Sequence, residues 1–283
     1  MSYLIGVTLL WAFSFSLIGV YLAGQVDPYF AVLLRVGLAL LVFLPFIRRL
    51  PWQLAVKLSA LGAVQLGLMY LFYYQSFLLL SVPEVLIFTI FTPVYITLLY
   101  DAFEGKFRYR FLLAAIVAVM GAAIMRYQGL TQDYWLGFAV VQGANFCFAL
   151  GQVGYKYLLE KQPLAIAQRH IFGWFYIGAL LIALPAWLVL GGQQYPGTTI
   201  QWSVLLWLGL IASGGGYFWW NKGATMVSSG VLAVMNNMLI PAGLLVNIVL
   251  WNRNENLVSL VAGAALLLIS CALCKQRNAQ PAE

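Results

Sequence analysis

The stretch Val231-Leu232-Ala233-Val234-Met235-Asn236-Asn237-Met238-Leu239-Ile240-Pro241-Ala242-Gly243-Leu244-Leu245-Val246-Asn247-Ile248-Val249-Leu250 is apolar enough to lie in a bilayer, yet an Asn pair and a proline interrupt it. Pro241 has no N–H to offer the carbonyl four residues back, that of Asn237. A carbonyl and two amide side chains are therefore presented together at mid-membrane depth. In hydrocarbon such groups survive only where protein or a watery cavity satisfies them. The stretch reads as the wall of a solute pathway.

The surrounding chain is of the same kind. Of 283 residues 63% are hydrophobic and 8% charged, so one water-soluble core is the wrong description. Runs of about 20 apolar residues mark membrane-spanning helices. Ten are expected, at 3–22, 29–47, 58–80, 84–102, 108–126, 134–157, 165–190, 202–222, 229–250 and 257–274. They consume almost the whole chain and leave no room for a soluble catalytic domain. The first run begins without a basic segment before it and reads as a true span, not a cleaved signal peptide. Pro28 suits the first turn of the second helix, where its missing N–H costs nothing. Asp133 is a plausible N-cap for the sixth.

The excess of basic residues reports orientation, with attraction to anionic lipid as a by-product, and does not point to nucleic acid. With an inside N-terminus, the inner side holds Arg48, Arg49, Lys57, Lys106, Arg108, Arg110, Lys156, Lys161, Arg169, Lys222, Lys275 and Arg277. The outer loops hold only Arg126 and Arg253, and Arg35 falls within a span. Both termini are expected in the cytoplasm.

The halves repeat. Gly6-x4-Trp11 matches Gly137-x4-Gln142 at an offset of 131, and Phe13-Ser14-Phe15 then faces Ala144-Asn145-Phe146. Pro28 and Arg35 match Pro163 and His170 at 135, Ser81 to Pro93 matches Ser229 to Pro241 at 148, and Gly121-Ala-Ala matches Gly263-Ala-Ala at 142. The expected architecture is an all-α membrane protein of two five-helix repeats, 1–130 and 131–283. An odd helix number turns the second repeat upside down. In transporters so built, the solute site lies at the repeat interface. Thr89 is then the mate of Asn237: Pro93 frees the Thr89 carbonyl as Pro241 frees that of Asn237.

Several residues stand out, each with a plainer alternative. Asn236, Gly243 and Asn247 share one helical face, suited either to hydrogen-bonding a solute or to gluing helices together. Arg35 is costly inside a membrane, by roughly 2.5–3.5 kcal/mol at a helix centre. It either binds a carboxylate, or snorkels outward or pairs with Glu84. His170 is a gate or proton-linked group, or simply a loop-proximal histidine. Lys222 is an inner counter-charge or a snorkelling lysine. Trp11, Tyr70 and Tyr217 belong to an aromatic group on the first, third and eighth helices that either stacks on a flat solute or anchors at the interface. Gly214-Gly-Gly216 is a bend or a close packing point, and Gly121-Ala-Ala with Gly263-Ala-Ala allows tight packing of the fifth and tenth helices, within a monomer or across a dimer.

Enzyme signals are missing: no metal cluster, no H-E-x-x-H, no G-x-S-x-G and no phosphate loop. Cys147, Cys271 and Cys274 do not form a disulfide framework, and no cofactor is called for. Three function classes follow: a solute importer, an exporter of an amino acid or other small amphipathic metabolite, and a membrane enzyme or scaffold. The third lacks support in the residues.

The ten spans, the five-plus-five repeat and the Pro93/Pro241 pair resemble the drug/metabolite transporter superfamily of the EamA type. Closer stretches resemble its bacterial biotin transporter branch. They are Trp11-Ala-Phe-Ser-Phe-Ser16, Tyr29 to Ala39 with Arg35 inside it, Thr92-Pro93 to Asp101, Gly154-Tyr-Lys156, and Met235-Asn-Asn-Met238 on to Asn247. The resemblance implies biotin import across the bacterial inner membrane by a secondary carrier, monomeric or homodimeric. It also implies amide partners, Asn236 and Asn237, for the ureido ring and a cation, Arg35 before Lys222, for the carboxylate; Asn145 is a further candidate substrate-binding residue. A charged residue at 222 departs from the pattern that the branch leads one to expect.

Overall fold

The computed structural model describes residues 1–80, 85, 88–126, 134–162, 166–251 and 257–274. Glu84, Asp133, Pro163, Arg253, Lys275 and Arg277 lie outside them, as do the side chains of Arg126 and Asn247.

All regular structure among the described residues is helical. Helix α1 spans Ser2–Tyr21 and α2 spans Pro28–Phe43. Next come α3 (Trp52–Gly62), a π-helical segment (Ala63–Leu68) and α4 (Met69–Leu79), which run on without interruption. A 3₁₀ turn at Thr89–Phe91 leads into α5 (Thr92–Glu104), followed by α6 (Tyr109–Arg126) and α7 (Tyr134–Lys161). Then follow α8 (Phe172–Leu190), α9 (Thr199–Trp207), a second π segment (Leu208–Gly215) and α10 (Gly216–Ala224). The last are α11 (Ser229–Asn237), α12 (Leu239–Trp251) and α13 (Leu257–Cys274).

Among the described residues, six helical stretches are long and apolar enough to cross a membrane; Tyr109–Ile124 and Val258–Cys274 are apolar but shorter. Leu9, Leu41, Leu181, Leu188 and Val258 all point outward and exposed. So broad an apolar exterior is a liability in water and suits lipid.

The expected helix starts hold in places and shift in others. Pro28 opens α2, and Asp27 caps it by accepting the Phe30 N–H at 2.7 Å. The same carboxylate accepts the Gly192 N–H at 2.8 Å, which ties the α1–α2 loop to the one after α8. The third span starts at Trp52 instead of 58, because the Pro51 carbonyl accepts the Leu54 and Ala55 N–H groups and launches the helix there. Lys57 is thus helical, not in a loop. Likewise α7 runs to Lys161, past the expected end at 157. Apolar runs mark the bilayer slab, and a helix that continues into the headgroups carries its charged residues with it.

Small residues set how the helices meet. The α6–α13 contact is the most extensive, and a Cβ on Gly121 would come 2.9 Å from the Gly263 carbonyl oxygen. The two Gly-Ala-Ala motifs therefore pack within one chain. Helix α2 lies against α8 and the second π segment, α3 against α8, α4 against α7, α5 against α7 and α11, and α1 against α10 and α12. The glycine run at 214–216 falls where π winding returns to α, and a Cβ on Gly216 would press 2.8 Å from the Trp11 indole nitrogen.

Candidate functional site

Helix α2 buries Ala31, Val32, Arg35, Val36 and Ala39 along one stripe, so Arg35 sits on the inward face and does not snorkel. It is 5% exposed. Its Nε donates to the Ser213 hydroxyl at 3.1 Å, its guanidinium lies 4.9 Å from the centre of the Tyr70 ring, and Tyr74 hydrogen-bonds to it. Among the described residues no carboxylate pairs with it. The π segment prepares this seat. Trp11 Nε1 donates to the Ala212 carbonyl in it at 3.0 Å, and the Tyr176 hydroxyl is shared between the carbonyls of Ser213 and Gly214.

Arg35 lines a cavity of about 480 Å³. Trp11, Ser14 and Phe15 come from α1, Tyr70, Tyr73 and Tyr74 from α4, Asn145 and Phe148 from α7, Tyr217 and Trp220 from α10, and Asn236 from α11. Thr89 and Thr92 complete one side. The indole of Trp11 packs 4.9 Å from Tyr217 and 5.0 Å from Trp220, so the aromatic group forms one continuous surface. The buried Tyr70 hydroxyl makes no hydrogen bond of good geometry. Gly24, Val26 and Gln194 stand at one end, where the α1–α2 loop meets the loop after α8. Apolar walls with a few convergent polar groups are the usual build of a small-molecule site, and this volume falls within its range of roughly 300–1,000 Å³.

Helix α7 organises the polar side. Gln142, Asn145, Gln152 and Lys156 follow one face at spacings of three, seven and four. Pro93 has no N–H for the Thr89 carbonyl, which instead accepts the Thr92 hydroxyl at 2.7 Å. One residue earlier, the Phe88 carbonyl accepts the Asn145 amide at 2.8 Å and the Gln142 amide at 3.1 Å. One residue later, the Ile90 carbonyl accepts the Asn237 amide at 3.0 Å. The two proline-interrupted segments thus touch, through Asn237 of one and Ile90 of the other.

The Asn pair divides. Asn236 faces the cavity, where its amide pairs with that of Gln152 by two bonds of 3.3 Å. Gln152 also accepts the Trp220 indole N–H at 2.8 Å. Asn237, expected beside it in the wall, is 1% exposed and turned toward Ile90. Adjacent helical residues point about 100° apart, and here that rotation carries Asn237 out of the lining. Asn237→Ala is expected to cost about 1–3 kcal/mol by leaving the Ile90 carbonyl unsatisfied. Thermal unfolding in detergent reads that loss, and solute selectivity should stay as it was.

The remaining candidates lie apart. Pro93 and Pro241 are not among the residues that line the cavity. His170 sits at the surface, with Nδ1 2.9 Å from the Phe46 carbonyl. The Lys222 ammonium lies 4.9 Å from the Tyr3 ring centre, away from the cavity lining. A Cβ on Gly243 would meet nothing within 4 Å, so no close packing explains that glycine.

Gln152 shares a helix face with Asn145 and Lys156, a signal present in the sequence, although it marks Lys156 there only as an inner basic residue and leaves Gln152 without a role. Below Gln152 the Lys156 ammonium is buried, donating to Glu160 and to the Val227 carbonyl, each at 2.6 Å. Tyr100 donates to the other Glu160 oxygen at 2.7 Å. This cluster ties α5, α7 and the turn before α11 together at the end away from Gly24 and Gln194.

Packed helices with an apolar exterior, around a cavity floored by amides and carrying a buried cation, are the build of a multi-pass membrane protein with room for a solute. The relatives fit that class. The chain is 50% identical over 291 residues to a biotin transporter of Salmonella typhimurium, covering 100% of this chain and 97% of the relative. It is 52% identical over 276 residues to a probable biotin transporter of Pseudomonas aeruginosa (95% and 96% covered), and 50% over 274 to a biotin transporter of Escherichia coli (95% and 91%). The chain belongs to the biotin transporter family. No protein-family model matches it. One solved protein structure shares the fold at a TM-score of 0.79 and 17% identity, over 96% of this chain and 97% of the other.

Proposed function

We propose that the protein is a secondary carrier of the EamA-type drug/metabolite transporter superfamily that takes up biotin across the bacterial inner membrane. Ten spans form two inverted five-helix repeats with both termini in the cytoplasm, and the two repeats rock about the proline-broken segments. The observation that carries the reading is the cavity. It sets Arg35 in one wall and Asn236 on the floor, with the Trp11, Tyr70 and Tyr217 rings between.

Each part suits one end of the solute. A buried guanidinium without a carboxylate partner among the described residues is matched by an acid side chain. A ureido ring suits amide partners, and its flat bicyclic body suits an aromatic wall. The relatives, named as biotin transporters or in one case a probable one, suggest the solute; composition and geometry alone would not select it. On the orientation given by the basic loops, the Gly24–Gln194 end faces outward. The Lys156–Glu160–Tyr100 cluster then closes the inner side.

Purified protein in proteoliposomes should accumulate labelled biotin under at least one imposed ion gradient, and excess unlabelled biotin should compete. Absence of protein-dependent uptake under every gradient tried would sink this reading. Stronger counterflow with an unrelated amphipathic metabolite would favour export instead.

A further inference from the structure

The hydrogen bonds at the cavity floor assign a polarity to it. An Asn side chain has two N–H donors and one carbonyl oxygen with two lone pairs. In Asn236 both donors are spent: Nδ2 donates to the Leu232 carbonyl at 2.8 Å and to Gln152 Oε1 at 3.3 Å. Its Oδ1 accepts one bond, from Gln152 Nε2 at 3.3 Å, and keeps one lone pair. The orientation is fixed twice over. A backbone carbonyl only accepts, so it holds Nδ2 toward Leu232. An indole N–H only donates, so Trp220 holds Gln152 Oε1 where Asn236 needs it.

Asn145 repeats the pattern on the wall. Its Nδ2 donates to the Phe88 carbonyl at 2.8 Å and to Gln142 Oε1 at 3.1 Å, which leaves Oδ1 as the available atom. Gln142 is oriented in turn by donating to the same Phe88 carbonyl. Both asparagines in the cavity wall therefore offer it an acceptor and no donor.

We propose that this site selects ligands by their N–H groups, and that Gln152 is a positioning residue that keeps Asn236 acceptor-only. The inference rests on the cavity being the solute site, and it specifies what the amides read: ring N–H donors, not the ring carbonyl. Gln152 itself is fully buried behind Asn236 and does not line the cavity. Without it one Nδ2 proton of Asn236 is released, and the floor then accepts donors and acceptors alike.

The probes are biotin and its two cyclic carbamate analogues, in which one or the other ring N–H is replaced by oxygen. The swap keeps size and turns a donor into an acceptor. Competition against labelled biotin, with the full-length protein in proteoliposomes, gives the ratio of affinities. For the wild-type protein at least one analogue is expected to bind about 10-fold or more weaker than biotin, the size of one lost hydrogen bond facing an unpaired acceptor. Gln152→Met should bring that ratio to within about threefold. Gln152→Glu, which as a neutral acid still donates to Asn236 Oδ1 and accepts from Trp220, should preserve it. A purely packing role for Gln152 would weaken all three ligands together and leave the ratio unchanged.

Equal affinity of wild-type protein for biotin and both analogues overturns the inference while leaving biotin transport intact, and that arm needs no variant to fold. A ratio unchanged in Gln152→Met overturns the positioning role. Failure of wild-type protein to bind biotin at all overturns both this inference and the transport reading beneath it.

Discussion

Arg35→Gln is expected to weaken biotin binding by roughly 100-fold or more and to abolish measurable uptake, while the protein stays at least as stable. Truncating one partner of a buried, hydrogen-bonded charge pair costs about 2–5 kcal/mol, and here the partner is the ligand carboxylate. Stability should move the other way. Arg35 is buried against Tyr70 and Ser213 with no carboxylate partner among the described residues, so removing its charge relieves desolvation. The two signs separate a binding role from a structural one. A neutral ester of biotin sharpens the test: wild-type protein should reject it by a similar factor, and Arg35→Gln should bind ester and acid alike. Unchanged uptake in the variant would remove Arg35 from the site.

Gly178→Ala is expected to be the most damaging small substitution in the fold. A Cβ there would lie 1.7 Å from the Ser59 carbonyl oxygen, and one on Gly62 would lie 1.8 Å from that of Phe175. Helices α3 and α8 thus meet backbone to backbone at two reciprocal points. The Ser59 hydroxyl donates to the Trp174 carbonyl at 3.0 Å across the same seam. Neither side is a flexible chain end that can swing aside, so the helices must part. The cost should reach about 3 kcal/mol, the upper end for overpacking, and appears as a lower midpoint of thermal unfolding in detergent. Gly37→Ala is the control. It lies within α2 with nothing within 4 Å of its added carbon, so the better helix propensity of Ala should raise stability by up to about 1 kcal/mol. Equal effects of the two substitutions would refute the close-contact reading.

How far the residues themselves disclosed this structure depends on what each signal measures. Arg35, Trp11, Tyr70, Tyr217, Asn145 and Asn236 line the cavity because a polar or large aromatic residue deep in an apolar helix has few other places to go. The proline breaks were legible too, since a missing N–H is a covalent fact. What the backbone around them bonds to was not: Thr92 answers the Thr89 carbonyl locally, whereas Asn145 and Asn237 reach the neighbouring Phe88 and Ile90 carbonyls only once distant helices meet. Asn236 and Asn237 differ only by a rotation of one residue, and packing alone decides which of them faces inward. The π segments stayed hidden because one extra residue per turn leaves no trace in an apolar run. Gln152 was lost among apolar neighbours, although its spacing from Asn145 and Lys156 marked it.

The central claim is that the solute occupies the cavity between α1, α2, α4, α7, α10 and α11. Protection of a single cysteine at Ser14 tests it most directly, since Ser14 lines that cavity and Ser→Cys barely alters its size. With Cys147, Cys271 and Cys274 replaced by alanine, Ser14→Cys should react with a small thiol-specific reagent, and saturating biotin should slow that reaction at least about 10-fold. Biotin uptake that persists while the rate of Ser14→Cys labelling is unchanged by biotin would place the solute elsewhere and contradict the account.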